Sequence, residues 1–489
     1  MESVASAIQR LSGLVASPQI SKLAAAFAEA GHEIALVGGP VRDAFLGRQL
    51  NDLDFTTSAN PDAILAIVVP ISDAYWDIGR AFGTIGARIG GETVEITTYR
   101  ADSYDGETRK PAVEFGDSLE VDLGRRDFTV NAMALRLPER VLVDPYGGLD
   151  DLLAGRLTTP GPAEVSFGDD PLRMLRAARF TSQLGFTVDE PTVQAMRALA
   201  DRLSIVSLER VSDELSKLLR TANPVPGIRL LVDTGIAELV LPEVPSLRLE
   251  IDEHAHHKDV YEHSLTVLEQ AIDLERTRRP KSESDADLVV RLAALLHDIG
   301  KPATRKIEPG GVVTFHHHDV IGAKLAAKRL KHLRFDNDTV AAVSRLIELH
   351  LRFFGYTEGA WTDSAVRRYV RDAGPLLERL HILTRADVTT RNRRKADRLS
   401  FAYDDLEERI AAITAAEGVA AVRPDLDGEQ IMRVLGISPG PEVGEAYRVL
   451  LELRLDQGPL GAQEAEARLR EWRAGAMKIA EQSSDASAD

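Results

Sequence analysis

The sequence predicts an α/β head with a small mixed sheet, followed by a mostly helical body. Three observations carry that prediction. Between Ile34 and Leu137 short β-rich runs are separated by Gly, Asp and Asn turns. From Pro171 onward apolar residues recur every three to four positions, the period of a half-buried helix. The chain has 489 residues, and at roughly 100–200 residues per domain it holds about two to four domains. Hydrophobic residues make up 44% and charged residues 28%, which supports packed cores and excludes disorder of the whole chain.

Taken in order, the first 24 residues read as a helix, and a second short amphipathic helix ends near Gly31. Strands are expected at Ile34–Val37, Asp52–Thr56, Thr84–Ile89, Thr93–Thr97 and Asn131–Leu137. Helices follow from Pro171 to Leu241, and a histidine-rich helical block runs from His254 to Arg398 with a polar loop at Thr277–Asp287. Further helices span Phe401 to Ala476, interrupted by a turn at Ser438–Pro441. The expected divisions are a head over 1–160, a helical region over 161–250, the histidine-rich domain over 251–400, a C-terminal helical region over 401–478 and a disordered tail over 479–489.

Composition narrows the function classes. Lys plus Arg is 59 against 76 Asp plus Glu, a net charge of −17, which argues against a generic nucleic-acid coat protein yet leaves room for local basic tracks. Cysteine is absent, so disulfides, thiolate ligands and a Cys nucleophile are impossible. The first 26 residues lack a secretory pattern, and no run approaches the roughly 20 apolar residues of a membrane span. The expectation is a cytoplasmic protein with no membrane partner.

In the head, a predicted strand runs into Gly38-Gly39 and a helix starts at Pro40, an order that exposes helix-start N–H groups suited to phosphate; a plain turn fits the same residues. Strand alternation puts Asp52 and Asp54 on one face and Leu53 on the other. A divalent cation between two such carboxylates relieves their repulsion, and Mg²⁺ suits oxygen ligands. A solvent-facing turn is the bland alternative. Glu95 is a candidate third carboxylate, or an exposed strand residue. Arg80, Arg100 and Arg109 are candidate phosphate contacts. Arg173, Arg176 and Arg179, three apart on a helix whose buried side is supplied by Leu172, Leu175 and Phe180, form an arginine stripe with Asp170 as the helix cap.

These stretches, LVGGPVRD (36–43), NDLDFTT (51–57), RRDFTVNAMAL (125–135), VDPYGGLDDL (143–152) and DDPLRMLRAARF (169–180), resemble the class II tRNA nucleotidyltransferases of the DNA polymerase β-like superfamily and the related bacterial poly(A) polymerases. The resemblance implies a nucleotidyltransferase head in which Asp52 and Asp54 hold catalytic Mg²⁺, and Gly38, Gly39 and Arg42 bind a triphosphate. It implies that Arg126, Asp127 and Asn131 contact the sugar and phosphate side of the nucleotide. Asp170 and Arg173 would read the base of CTP or ATP, supported by Arg176 and Arg179. The family pattern has Glu-Asp where this chain has Asp169-Asp170.

The histidine-rich block carries a second constellation. His297-Asp298 ends an apolar run, a placement that demands pairing or a metal. His263, His297, Asp298 and Asp387 resemble the pattern of the HD phosphohydrolase superfamily, with His318 and His350 as additional ligands; imidazole and carboxylate together suit Mn²⁺, Fe²⁺, Ni²⁺ or Zn²⁺. Three basic stretches, Lys324–Lys331 with Arg334, Arg367–Arg371 and Arg391–Arg398, are candidates for a phosphate track. The segment Asp427–Pro441 with Gly444 resembles the tail module of the same bacterial enzymes, which implies a grip on the tRNA body. The leading expectation is template-independent addition of CCA to tRNA. Its rivals are poly(A) polymerase, an A-only or CC-only enzyme, and an HD phosphohydrolase with a non-catalytic RNA-binding head.

Overall fold

The structure, a computed structural model, describes residues 4–49, 53–103, 112–116, 118–248, 259–278, 286–358, 361–389, 393–417 and 423–485. Asp52, Arg109 and Arg391 lie outside the described residues. Its contacts divide the chain into two units, Met1–Pro245 with His332–Phe335, and Ser246–Lys331 with Asp336–Asp489.

In the first unit, α1 (Val4–Val15) and α2 (Pro18–Glu29) precede the sheet. The single helix expected over the first 24 residues is broken because Pro18 starts a new helix, with the Ser17 hydroxyl accepting from Ile20 N–H. The strands are β1 (Ile34–Val37), β2 (Leu53–Thr57), β3 (Ala74–Trp76), β4 (Thr84–Ile89) and β5 (Glu92–Thr98). A separate hairpin joins β6 (Arg100–Ser103) to β7 (Ala112–Phe115), and β8 (Ala134–Leu137) and β9 (Val141–Val143) return to the main sheet. Its order is β3-β4-β5-β2-β1-β8-β9. Only the central β2–β5 pair is parallel, so the sheet is mixed as expected. Alternation holds on β2: Leu53 and Phe55 are buried against the core while Asp54 is partly exposed. The strand expected from Asn131 begins only at Ala134, because residues 129–131 form a 3-10 turn.

Around the sheet lie α3 (Gly39–Phe45), α4 (Pro61–Val68), α5 (Leu119–Gly124) and α6 (Gly148–Ala154). Then come α7 (Ala163–Asp169), α8 (Leu172–Leu184), α9 (Glu190–Leu199), α10 (Leu208–Leu219), α11 (Val225–Asp233) and α12 (Ile236–Val240). Helix α8 is the hub: it packs on α7, α10 and α11, and its buried residues include Met174, Leu175, Ala178 and Phe180.

The second unit opens with α13 (Val260–Arg278), α14 (Leu288–Leu296), α15 (Lys301–Thr304), α16 (His318–His332) and α17 (Asn337–Leu349). It continues through α18 (Phe354–Glu358), α19 (Asp363–Ala373), α20 (Leu377–Ala386) and α21 (Arg393–Glu417). It ends with α22 (Gly428–Leu435), α23 (Pro441–Gln457) and α24 (Ala462–Asp485). Two expected boundaries shift. Helix α21 runs unbroken through residue 400, and α24 continues to Asp485, past the expected tail start at 479, because Ala476–Gln482 is rich in helix formers. Leu426, Ile431, Leu435, Leu450 and Leu469 form a small core among α22, α23 and α24. No helix among the described residues is long and apolar enough to cross a membrane.

Candidate functional site

Two polar centres stand out, one in each unit. In the head, the parallel register sets Asp54 directly beside Glu95, so the two carboxylates project from the same face of the sheet. Antiparallel pairing of Leu36 with Phe55 brings the end of β1 level with Asp54. There the chain turns into α3 through Gly38, whose φ of +72° favours glycine. A Cβ at Gly38 would sit 3.1 Å from Arg126 Nη1, so the guanidinium lies directly against this turn. Arg126 donates to Asp122 at 3.3 Å, while its Nε is buried without a partner.

Arg42, Asn131, Asp127 and Arg176 form one chain of hydrogen bonds, buried except at Arg176. Arg42 Nη1 donates to Asn131 Oδ1 at 2.6 Å and Asn131 Nδ2 donates to Asp127 Oδ1 at 2.9 Å. Asp127 Oδ2 accepts from Arg176 Nε at 2.7 Å. Burial would raise the Asp127 pKa, but Arg176 and the Asn131 amide outweigh it and hold the carboxyl well below the usual range. Arg176 also faces Glu214 at 3.7 Å, and Arg179 donates to Glu214 at 2.6 Å. Of the arginine stripe expected along α8, Arg176 and Arg179 are paired with acids: Arg176 is half-buried, and Arg179 is buried over the Phe180 ring and tied to Glu214 on α10.

Asp170 and Arg173 sit at the α7–α8 junction. Asp170 is the C-cap of α7 rather than the cap of α8, which starts from Pro171; its Oδ1 accepts from Leu172 N–H at 3.2 Å and Oδ2 faces Arg210 at 3.6 Å. Arg173 donates to Ser166 Oγ at 2.8 Å and to the Arg125 carbonyl. Arg80 pairs instead with Asp62, and Arg100 Nη1 donates to the Phe82 carbonyl at 3.0 Å. Sequence reasoning missed Asp122, Ser166, Arg210 and Glu214, acidic and polar residues that recur too commonly to stand out without contacts.

In the second unit the predicted histidines and aspartates do come together. Ligand atoms of His263, His297 and Asp387 lie within 4.8 Å of one another, as do those of Asp298, His318 and His350. Asp298 links the groups, facing His297 at 3.2 Å, His318 at 3.3 Å and His263 at 3.5 Å. Three rings turn Nδ1 outward, 2.9 Å from Ala294 O, 2.8 Å from Phe315 O and 2.6 Å from Ile347 O, which leaves Nε2 of His297, His318 and His350 facing inward as metal ligands require. His350 Nε2 is buried with no hydrogen-bond partner. That orphaned atom fits a cation.

Burial opposes charge on His297, but Asp298 and Asp387 push its pKa up to about 10; burial and the neighbouring His297 charge push His350 down to about 4. A proton on His297 thus supplies the positive charge that the carboxylates demand. Helix α14 can end in this cluster because Gly300 lets α16 pass: a Cβ there would meet His318 O at 2.0 Å. Lys301 Nζ, 2.9 Å from Asp298 Oδ2, and Thr389 Oγ1, 3.0 Å from His263 Nδ1, are further members that sequence reasoning did not single out.

The basic patches divide on inspection. The α19 patch is neutralised: Arg367 pairs with Glu417, Arg368 with Glu452 and Asp456, and Arg371 with Asp372 and Glu452. It is not an open phosphate surface. Lys324, Lys328 and Lys331 on α16 are exposed and spaced i, i+4, i+7 on one face.

Fold and sites together define a nucleotidyltransferase head joined to a helical body with an HD domain. Residues 34–158 match the Poly A polymerase head domain, residues 185–247 the Probable RNA and SrmB- binding site of polymerase A, and residues 260–392 the HD domain. The chain is 38% identical over 448 residues to the A-adding tRNA nucleotidyltransferase of Deinococcus radiodurans, covering 90% of this chain and 95% of that protein. It is 32% identical to the CC-adding tRNA nucleotidyltransferase of Thermus thermophilus, covering 90% and 93%. Identity to the CCA-adding enzyme of Latilactobacillus sakei is 30%, covering 86% and 89%. The fold is shared with the Bacillus stearothermophilus CCA-adding enzyme solved with CTP, at a TM-score of 0.66, 24% identity, and 95% and 100% coverage. The chain belongs to the tRNA nucleotidyltransferase family.

Proposed function

We propose that this protein adds CCA to the 3′ end of tRNA from CTP and ATP, without a nucleic-acid template and with release of pyrophosphate, in the cytoplasm. The observation that carries the chemistry is the Asp54–Glu95 register beside the Gly38 turn. With Asp52, two residues earlier in the sequence, these carboxylates fit Mg²⁺, which when bound would activate the RNA 3′-hydroxyl and neutralise charge on the departing pyrophosphate. Gly39 at the start of α3 and the Arg126 guanidinium would face an anionic triphosphate, with Gly38, whose N–H goes to Met133 O at 3.3 Å, supplying the turn. Arg42, Asp127, Asn131, Arg176 and Arg179 hold that surface in shape through their bonded chain.

Asp170 supplies an acceptor and Arg173 donors, which together suit the cytosine and adenine edges. A guanine or uracil edge would leave buried polar atoms unpaired at about 1–3 kcal/mol each.

A second reading has a specific support: relatives matched over 90% of this chain are named A-adding and CC-adding. Transcripts ending before the first C, after one C and after two, each offered one labelled nucleotide at a time, separate the readings. Addition of C, C and then A supports the proposal. A alone on the CC-ending transcript identifies an A-adding enzyme, and A runs on any RNA a poly(A) polymerase.

The HD cluster we read as a metal-dependent phosphohydrolase centre. His263, His297, Asp298 and Asp387 would hold the ion with His318 and His350 beside them, and the bound ion would supply a hydroxide and polarise a phosphoester.

For tRNA itself, the lysine row on α16 offers phosphate contacts that α19 does not. Replacing Lys324, Lys328 and Lys331 by Glu is expected to weaken tRNA binding, and the slope of log K against log salt to fall by about 2–3. Filter binding from 50 to 300 mM salt measures it, and an unchanged slope removes α16 from the RNA surface.

A further inference from the structure

The head contains a carboxylate that none of the roles above uses. Asp122, at the C-terminal half of α5, is fully buried. Its oxygens nonetheless collect four donors from three parts of the chain. Oδ2 accepts from Thr56 Oγ1 at 3.2 Å and from Arg126 Nη2 at 3.3 Å; Oδ1 accepts from Arg125 Nε at 3.0 Å and from Arg100 N–H at 3.3 Å. Burial alone would keep this carboxyl protonated, but Arg126 and Arg125 reverse that and lower its pKa, so it is charged at neutral pH.

What those donors are attached to gives the contact its meaning. Thr56 lies two residues after Asp54 on the same face of β2, and its single hydroxyl hydrogen is shared between Asp122 Oδ2 and Thr97 O on β5, two residues after Glu95. Arg126 is the guanidinium laid against the Gly38 turn. Arg125 offers its carbonyl to Arg173, one half of the proposed base-reading pair. One buried charge therefore joins the strands that carry the metal carboxylates to both arginines that face the nucleotide. A bland reading is available: a buried aspartate closing the turn between α5 and the following segment. That reading explains Arg125, three residues on, but not the reach of 66 residues to Thr56.

Building on the nucleotidyl-transfer reading, we infer that Asp122 is a positioning residue for the nucleotide, fixing Arg126 over the triphosphate turn and, through the Arg125 carbonyl, Arg173 at the base. It touches no substrate. Its work is to keep two flexible guanidinium groups in one geometry, so that neither must be ordered when the nucleotide arrives.

The test is steady-state nucleotide addition by Asp122→Asn and Asp122→Glu on a tRNA transcript. Asp122→Asn keeps the shape and removes the charge, and is expected to raise KM for both CTP and ATP at least tenfold and to increase UTP and GTP misincorporation. The affinity for tRNA should stay within twofold. Asp122→Glu keeps the charge but displaces it by one methylene, and is expected to recover part of the misincorporation defect. It also carries the test if Asp122→Asn does not fold. A variant with a lowered Tm but wild-type KM and fidelity overturns the inference and leaves a structural aspartate. If the wild type adds no nucleotide, the reading of the function fails instead, and the two failures are distinct.

Discussion

Replacing Asp54 by Ala is expected to reduce nucleotide addition by at least about a thousandfold while tRNA binding stays within a few-fold of wild type. The size follows from where Asp54 stands. It occupies the central strand, in register with Glu95 and level with the start of α3, so its loss leaves Glu95 without the carboxylate that faces it across the β2–β5 pair. Glu95→Gln should be milder, since Glu95 is exposed and retains an oxygen ligand as the amide. Single-turnover incorporation of labelled nucleotide at saturating Mg²⁺ gives the comparison. Turnover by Asp54→Ala at a tenth of the wild-type rate or better would remove this carboxylate from the chemistry.

The second large effect belongs to the HD cluster. Asp298→Ala is expected to abolish metal retention and any phosphomonoesterase activity, because Asp298 lies between both groups of ligands and its loss separates them. The affinity of the wild-type cluster should also depend steeply on pH. His297, raised to about 10 by Asp298 and Asp387 against the opposing effect of burial, carries a proton at neutral pH that a metal must displace. Folded-state protonation of this ring is favoured below its pKa, so lower pH competes with the ion. The Kd for Mn²⁺ should therefore fall about tenfold per pH unit between roughly 7 and 9. Calorimetry in buffers of different ionisation enthalpy would register the released proton, and a pH-independent Kd would contradict the assignment.

How far the residues announced all this differs between the centres. In the HD cluster the histidines and aspartates were legible but Lys301 and Thr389 were not, since His297-Asp298 at the end of an apolar helix is chemically anomalous unless something charged lies opposite. In the head, alternation placed Leu53 in the core and Asp54 outside it, and the mixed sheet followed from short runs between turns. The edge strands Ala74–Trp76 and Val141–Val143 escaped notice because three residues are too few to show a period. The arginines of α8 and α19 misled for another reason. Helical spacing says which side chains share a face, but whether acids such as Glu214 or Glu452 meet that face depends on segments tens of residues away. Asp122 was invisible for the same cause.

The parallel β2–β5 pair at the centre of the main sheet has a consequence for how this enzyme tolerates change. Because neighbouring side chains alternate, removing one residue within Glu92–Val94 would turn Glu95 toward the apolar interior and bring Val94 or Ile96 out beside Asp54. Lengthening the loop after β2, near Ser58–Asn60, leaves the pairing of β5 with β2 and β4 intact. Indels a few positions apart should thus divide sharply into silent and lethal.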